Sequence, residues 1–496
     1  MAAMEPSGSA LYTAAQVREF DRVAIQELGI PGYELMSRAG RATLRTLRSL
    51  WPAARSVTVL CGPGNNGGDG YVIAREARAQ QLVVRVVALG DPAALAGDAR
   101  RAFDDFFAAG GRCEPWSAAV LESDVIVDAL YGTGLVRPVT GEAAARLEAV
   151  NATGRPIVAV DVPSGLHADT GAVLGVAARA SCTVTFIGRK AGLYLGEGAE
   201  HASRVVFDSL GVPAATYAGT TPVARLLGEQ DVLDALPRRH RTAHKGDFGH
   251  VLVIGGGRGM PGAARLTGEA ALRAGAGLVT LAVHPDNAGI VATRPELMCV
   301  ATRSAAELAA AFARATVVAV GPGLGQDDWA RGLFDAAIAS GRPLVVDADA
   351  LNLLATAPRS LERWVLTPHP GEAGRLLGTG SVDVQADRLQ AARALQSRYG
   401  GVVVLKGAGS IVRDAADVPA ICDRGNPGMA AGGMGDVLTG VIAGVAAQCA
   451  DLGRAARAGV LVHAQAGDLA ARRGERGMTA SDVLEQVRPC VNPACA

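Results

Sequence analysis

Short runs of β-branched residues alternate with helix-period segments along nearly the whole chain, and no other feature restricts the fold as much. Parallel strands need long crossovers, and helices in those crossovers cover both faces of the sheet, so each strand reads as an almost continuous apolar run. In the first half, strands are expected at 56–61, 83–89, 124–129, 156–160, 181–187 and 204–207. In the second they are expected at 250–254, 278–283, 316–320, 344–347, 364–366, 402–405 and 410–412. Helical runs at 13–28 and 37–50 precede the first strand, and the last stretch of chain also reads as helical. Between the halves, at about 212–240, the periodicity gives way to Gly, Pro and Arg. The boundary is placed near Thr221, dividing the chain into 1–220 and 221–496. Both parts read as α/β, with helices on a mostly parallel sheet.

Composition excludes several classes. Apolar residues make up 49% of the 496, enough for buried cores, and Lys plus Arg equals Asp plus Glu at 48 each. With no basic tract and no net charge, neither nucleic acid nor a membrane surface is an expected partner. The longest apolar stretch, roughly 437–450, is broken by Thr439, Gly440 and Gly444 and is too short to span a bilayer. The first ten residues have neither a charged start nor an apolar core, so no export signal is expected. Eight cysteines without a Cys-x-x-Cys pair fit reduced thiols in the cytoplasm. Of the 48 basic residues only Lys190, Lys245 and Lys406 are lysine, and each lies beside glycine. Where arginine has replaced lysine almost everywhere, a retained ammonium points to close approach to phosphate or to proton transfer.

In the first half, the strand at 56–61 runs into Gly62-Pro-Gly-Asn-Asn-Gly-Gly-Asp69-Gly70, with a helix expected to begin near Tyr71. Gly62, Gly64 and Gly67 satisfy G-x-G-x-x-G, a dinucleotide-binding pattern, but Pro63, Asn65, Asn66 and Asp69 fit that fingerprint poorly. Asp69 could equally cap a helix. Two further strand ends carry Asp128-Ala-Leu-Tyr-Gly-Thr-Gly134 and Asp161-Val-Pro-Ser-Gly165. In an open α/β sheet these ends converge on one ligand crevice, where carboxylate, amide and hydroxyl oxygens can hold a hard cation.

In the second half, His244-Lys-Gly-Asp-Phe-Gly precedes a strand that opens into Gly255-Gly-Gly-Arg-Gly-Met-Pro-Gly-Ala-Ala264. Gly321-Pro-Gly-Leu-Gly325, Asp347-Ala-Asp-Ala-Leu-Asn352, Thr367-Pro-His-Pro-Gly-Glu372 and Lys406-Gly-Ala-Gly-Ser410 follow. The sharpest motif is Gly425-Asn-Pro-Gly-Met-Ala-Ala-Gly-Gly-Met-Gly-Asp436, ahead of an apolar helix. Glycine amides at that helix start would make an anion hole, and Asp436 could take a proton from a substrate hydroxyl, an arrangement suited to phosphoryl transfer. Asp436 could also simply satisfy the helix dipole. The Walker pattern is absent, which excludes a P-loop.

Together these motifs resemble, in order and over about 11–490, the bifunctional NAD(P)H-hydrate repair family. The resemblance implies a Rossmann-like three-layer αβα epimerase domain at 1–220 and a ribokinase-like αβα dehydratase domain at 221–496. It implies epimerisation of R and S NADHX and NADPHX, then dehydration of the S epimer at the expense of ADP, giving AMP and phosphate. Carried over, Asn65, Asn66, Gly67, Gly68 and Asp69 would bind the hydrate, and Gly132, Thr133, Gly134, Leu135, Val136, Arg137 and Pro138 would wrap its phosphates. Asp161 would contact it, with Asp161 and Lys190 as the acid/base pair, and Asn66, Asp128 and Ser164 would ligate potassium. In the dehydratase, Ala263, Gly325, His369 and Asp436 would bind the hydrate, with Asp436 as base. Lys406, Gly407, Ala408, Gly409, Ser410 and Gly435 would bind the nucleotide, and Glu372 is a candidate to organise magnesium. A homo-oligomer is also implied.

One alternative stays open at this level: a ribokinase-like vitamin or sugar kinase whose first half is a regulatory nucleotide-binding module. His463 reads as a packed or capping histidine. The Ala/Arg-rich segments at 300–315 and 385–398 read as solvated helix faces with apolar backs.

Overall fold

The computed structural model describes residues 8–493. Residues 1–7 of the N-terminal segment read for an export signal, and 494–496 with Cys495, lie outside the described residues. The chain forms two compact units, one ending at Ala224 and one beginning at Arg225.

The first unit contains strands β1 (Ala10–Tyr12), β2 (Ser56–Cys61), β3 (Val83–Ala88), β4 (Val125–Ala129), β5 (Ile157–Val160), β6 (Cys182–Phe186), β7 (Arg189–Lys190) and β8 (Arg204–Asp208). Six of them form a parallel sheet in the order β3-β2-β4-β5-β6-β8. All six fall where the apolar runs put them, to within a residue or two. The other two, β1 and β7, pair with each other and are too short to show alternation. Successive residues of β2 serve opposite faces. Val57 and Val59 join Phe20, Leu47, Tyr71 and Phe106 on one side, while Leu60 joins Ile126, Leu147 and Val150 on the other. Helices therefore cover both faces. The order reverses between β3-β2 and β4-β5, so a crevice opens at the carboxyl ends of β2 and β4.

The helix expected near Tyr71 begins instead at Asn65 and runs to Ala79. Its first turns are the glycine run itself, because only glycine permits that approach. A Cβ on Gly67 would lie 2.0 Å from the Gly62 carbonyl oxygen, and one on Gly70 would lie 2.8 Å from Cys61 Sγ. Asp69 is thus inside the helix, and the N-cap position belongs to Gly64.

The second unit contains β9 (Ala224–Leu226, of which Arg225 and Leu226 belong to it), β10 (His250–Ile254), β11 (Leu278–Val283), β12 (Met298–Ala301), β13 (Val317–Val320), β14 (Leu344–Val346), β15 (Trp364–Leu366), β16 (Val402–Leu405), β17 (Ser410–Arg413) and β18 (Ala420–Cys422). Strands β12 to β16 are parallel in the order β12-β11-β10-β13-β14-β15-β16; β17 and β18 continue antiparallel, and Arg225–Leu226 pairs with β18. The order reverses between β11-β10 and β13-β14, again fixing a crevice. There Gly256 and Gly257 donate to the carbonyls of Pro322 (3.0 Å) and Gly323 (2.6 Å).

The helix Met434–Ala446 is buried nearly all round against Pro261–Arg273 and Leu452–Ala471. Small residues set that contact: a Cβ on Gly440 would lie 2.1 Å from the Thr267 carbonyl oxygen, and one on Gly444 2.6 Å from that of Ala271. Overpacking a core costs ~1–3 kcal/mol. Gly440→Ala is therefore expected to destabilise the second unit by ~2 kcal/mol or more in denaturant unfolding, despite alanine's better helix propensity.

Candidate active sites

Each unit presents, at the carboxyl edge of its sheet, a lysine–aspartate ion pair with one partner buried and the other partly exposed: Lys190 is buried in the first and Asp347 in the second. In the first unit Asp161 follows β5 with a left-handed backbone, φ 67°, a conformation that is uncommon outside glycine and accumulates at functional sites. Its Oδ1 receives the ammonium of Lys190, the Thr185 hydroxyl (3.3 Å) and the Phe186 amide (3.4 Å). Lys190, only 1% exposed, also donates to Thr185 Oγ1 (3.2 Å) and the Phe186 carbonyl (2.9 Å). All three ammonium donors are used, as a buried charge requires.

This pair opens onto a cavity of about 1050 Å³. Asn65, Asn66, Asp69, the whole stretch Gly132 to Pro138, Asp161 and Lys190 line it. Gly67 and Gly68 do not. They are buried packing positions, and a Cβ on Gly68 would meet Met36 Cε at 2.6 Å. Asp21, which nothing in the sequence marks, also lines the cavity, one turn from a π-helical segment, Val23–Glu27. Burial pushes the Asp69 carboxyl well above the carboxylate range, with Asp161 and Asp21 adding to the rise and Lys190 opposing it. Burial likewise carries Asp21 up to about 6. The cavity therefore holds an ion-paired aspartate beside carboxyls whose proton affinity burial has raised.

Asp128 and Ser164 are fully buried. Ser164 donates from Oγ to Asp128 Oδ1 (2.6 Å) and from its amide to Oδ2 (2.8 Å), and its Oγ accepts from the Tyr131 amide (2.8 Å). Burial raises the Asp128 carboxyl, and these hydrogen bonds offset part of the rise. Asn66 turns its Oδ1 toward Gly132, where a Cβ would lie 3.3 Å away, while its buried Nδ2 has no partner. Among the described residues, no three His, Cys, Asp or Glu side chains group as a metal site. The carboxylate, amide carbonyl and hydroxyl of Asp128, Asn66 and Ser164 are, however, an all-oxygen set that suits a hard cation.

In the second unit Asp347, 1% exposed, follows β14 and accepts from Lys406 Nζ (2.6 Å) and Thr439 Oγ1 (2.8 Å). Glu372 lies 3.7 Å from the same ammonium. A Cβ on Gly435 would sit 3.4 Å from both Asp347 Oδ2 and Lys406 Nζ, so only glycine leaves this approach open. Burial disfavours the Lys406 ammonium, but Asp347 and Glu372 outweigh it and raise its pKa. Asp436 is in the first turn of Met434–Ala446, whose N-cap Gly433 has φ 87°. Burial, reinforced by Asp347 and Asp349 and opposed by Lys406, pushes Asp436 up to about 7.

His369 caps the helix Pro370–Leu377, its Nδ1 accepting from the amides of Gly371 (3.0 Å) and Glu372 (3.4 Å). Burial, Lys406 and Arg375 lower its pKa, so the ring is a neutral donor through Nε2. The Gly325 amide donates to Asp349 (2.8 Å), and Ala263 packs where a Cβ on Gly323 would come within 3.0 Å. Ser410 closes its loop on Gly407, donating to the carbonyl (2.9 Å) and accepting from the amide (3.2 Å). Lys245, the third lysine, is exposed and belongs to neither site. His463 is buried on Leu452–Ala471, consistent with a packed histidine. In the segment 385–398, Ala391, Ala392 and Leu395 form the buried back of a helix whose other face is exposed, and Arg388 is the exception: it is 1% exposed and donates to the Lys406–Ser410 loop.

A family model described as NAD(P)H-hydrate dehydratase matches residues 251–489, and one described as YjeF-related protein N-terminus matches 32–192. The chain is 46% identical to the bifunctional NAD(P)H-hydrate repair enzyme of Coxiella burnetii over 486 residues, covering 97% of this chain and 99% of that one. To the enzyme of the same name from Escherichia coli it is 44% identical, covering 97% and 94%. Among solved structures, a ribokinase-like superfamily protein from Enterococcus faecalis aligns with a TM-score of 0.50 at 29% identity, covering 55% of this chain and 97% of that one.

The raised Asp436 pKa has a stability consequence. A carboxyl whose folded pKa exceeds its unfolded value stabilises the fold only while protonated, and that advantage is lost as pH climbs from about 4 to about 7. Asp436→Asn should therefore be nearly neutral near pH 4. Its gain in denaturant stability should then grow with pH and level off above 7 at ~1–2 kcal/mol, allowing for partial exposure.

Proposed function

The chain belongs to the family of bifunctional NAD(P)H-hydrate repair enzymes, and we propose that it divides the two reactions between its two units. Residues 1–220 epimerise R and S NADHX and NADPHX; residues 221–496 dehydrate the S epimer to NADH or NADPH. The observation that carries this division is the repeated pair, Lys190 with Asp161 and Lys406 with Asp347, each beside carboxyls raised by burial.

Inverting C6 of the hydrate requires a proton to be delivered to the departing hydroxyl, which leaves as water, and a proton to be withdrawn from the water that adds to the opposite face. Asp161, ion-paired with Lys190, is the group that withdraws it. Asp69, kept protonated, donates a hydrogen bond to the substrate together with Asn65, while Gly67 and Gly68 shape the turn beneath them. Gly132, Thr133, Gly134, Leu135, Val136, Arg137 and Pro138 line the cavity along the path of the substrate phosphates. Asn66, Asp128 and Ser164 hold potassium, which when bound supplies a fixed positive charge beside those phosphates.

In the second unit Ala263, Gly325 and neutral His369 seat the nicotinamide hydrate against Asp436. Asp436 takes the proton of the C6 hydroxyl as its oxygen attacks the terminal phosphoryl group of ADP. The bond from that phosphorus to the bridging oxygen breaks and AMP leaves. The bond formed is O–P; the C6–O bond then breaks with phosphate as the leaving group, and loss of the C5 proton restores the C5=C6 double bond of the reduced nicotinamide. Lys406, the loop through Gly407, Ala408, Gly409 and Ser410, and the Gly435 amide receive the nucleotide. Glu372 helps to hold magnesium, which when bound neutralises phosphate charge. ADP rather than ATP is the donor in this reading, and a cytoplasmic homo-oligomer is its setting. The free thiols of the described cysteines support that compartment.

Purified protein given epimeric NADHX, magnesium, potassium and either ADP or ATP should recover all the reduced-nicotinamide absorbance, faster with ADP. Recovery of only the S fraction would remove the assignment of the first unit. Asp161→Asn should slow R-to-S conversion ~10²-fold or more while S-epimer dehydration continues, and Asp436→Asn should do the reverse. Dehydratase kcat/KM should rise as pH approaches about 7 and level above it, following ionisation of Asp436.

A further inference from the structure

Arg388 is placed against two rules of arginine chemistry. It is 1% exposed, yet no carboxylate lies within ion-pair distance of it among the described residues. It also occupies the first turn of the helix Arg388–Tyr399, the end whose dipole disfavours a cation. Burial lowers its guanidinium to about 10, which leaves it charged at neutral pH.

What it does instead is fill the inside of one loop. Its Nη2 donates to the carbonyls of Leu405 (3.3 Å), Lys406 (3.2 Å) and Gly409 (3.3 Å), and Nη1 donates to the Gln385 side chain. Gly407 crosses this guanidinium with φ 134°, and a Cβ there would lie 3.1 Å from Nη1 and 3.2 Å from Nη2. With three carbonyls gathered on one cation, the loop has a single arrangement. Ala408 and Gly409 keep backbone N–H groups that no protein acceptor takes among the described residues. The guanidinium serves the three carbonyls from one terminal nitrogen while the other reaches the Gln385 side chain, a two-sided hold that a single ammonium does not give.

We propose that Arg388 is a positioning residue for the phosphoryl donor: it fixes the Lys406–Ser410 loop from behind and leaves an uncompensated positive charge there, so that the loop accepts an anionic nucleoside diphosphate. This rests on the reading of that loop as nucleotide-binding. The same charge accounts for its cost, since a buried guanidinium without a carboxylate is tolerated where an anion arrives to balance it.

The test uses the full-length protein, measuring the Kd of ADP, the KM for ADP and the KM for the S hydrate. The variants are Arg388→Met, Arg388→Lys and Lys406→Met, with epimerase rate and melting temperature as internal controls. Arg388→Met should weaken ADP about tenfold or more, with the KM for the hydrate and the epimerase rate within about twofold of wild type. Arg388→Lys should recover part of the loss, because it keeps the charge but not the fork. If both Arg388 variants bind ADP like wild type while Lys406→Met does not, the positioning role falls alone. If Lys406→Met and Arg388→Met all bind ADP like wild type, the nucleotide reading of the loop falls and takes the proposal with it. If ADP and hydrate affinities fall together with melting temperature, Arg388 is only structural and the proposal is overturned. Should Arg388→Met not fold, the Arg388→Lys comparison decides between the same outcomes.

Discussion

An ammonium held against a carboxylate, with one partner of each pair buried, is the constraint on which both halves of this molecule turn. Removing either partner would leave an unpaired charge in a low-dielectric interior, which costs far more than the pair itself contributes. The surroundings are accordingly built to satisfy it: Thr185 and the Phe186 carbonyl complete the shell of Lys190, and Thr439 completes that of Asp347. These are the two positions where a chain that otherwise uses arginine keeps lysine inside.

The pairs also set the protonation of their neighbours. Each lysine neutralises one aspartate, and that aspartate then raises the next carboxyl: Asp161 acts on Asp69, and Asp347 on Asp436. Two carboxyls in one cavity with different affinities for protons are the usual physical basis for dividing acid from base work. The arrangement is costly for folding. Asp161 and Ala348 both hold left-handed backbone, φ 67° and φ 48°, next to the paired carboxylates. Strain and raised carboxyls concentrate at the strand ends, where the rest of each sheet, packed on both faces, is rigid enough to impose them.

Much of this was legible in order along the chain. The alternation of apolar runs located the six strands of the first sheet and seven of the second, because period and length are local properties, but it missed the short strands β9, β12 and β18. The strand-end aspartates were legible as a group, since the reversal point of a parallel sheet collects whatever its carboxyl ends carry. Less legible was the start of the helix at Asn65. A run of five glycines in nine residues, Gly62 to Gly70, reads as a loop by propensity, and only the approach of Gly67 to Gly62 and of Gly70 to Cys61 makes its second part helix. Arg388 was misread for a related reason: an Ala/Arg pattern looks solvated until a loop from elsewhere in the chain closes over it.

The sequence by itself determined the fold class of each half, the residues at the strand ends and, through motifs in series, the family and its two activities. Those depend on periodicity, residue chemistry and spacing, all of which are written along one dimension. Tertiary structure alone decided which lysine meets which aspartate, that Asp347 rather than Asp436 takes the ammonium, that Asp21 joins the first cavity, and that Arg388 stands behind the Lys406 loop. Such pairings join residues far apart in the chain, and their energies depend on distance and burial, which no single segment specifies.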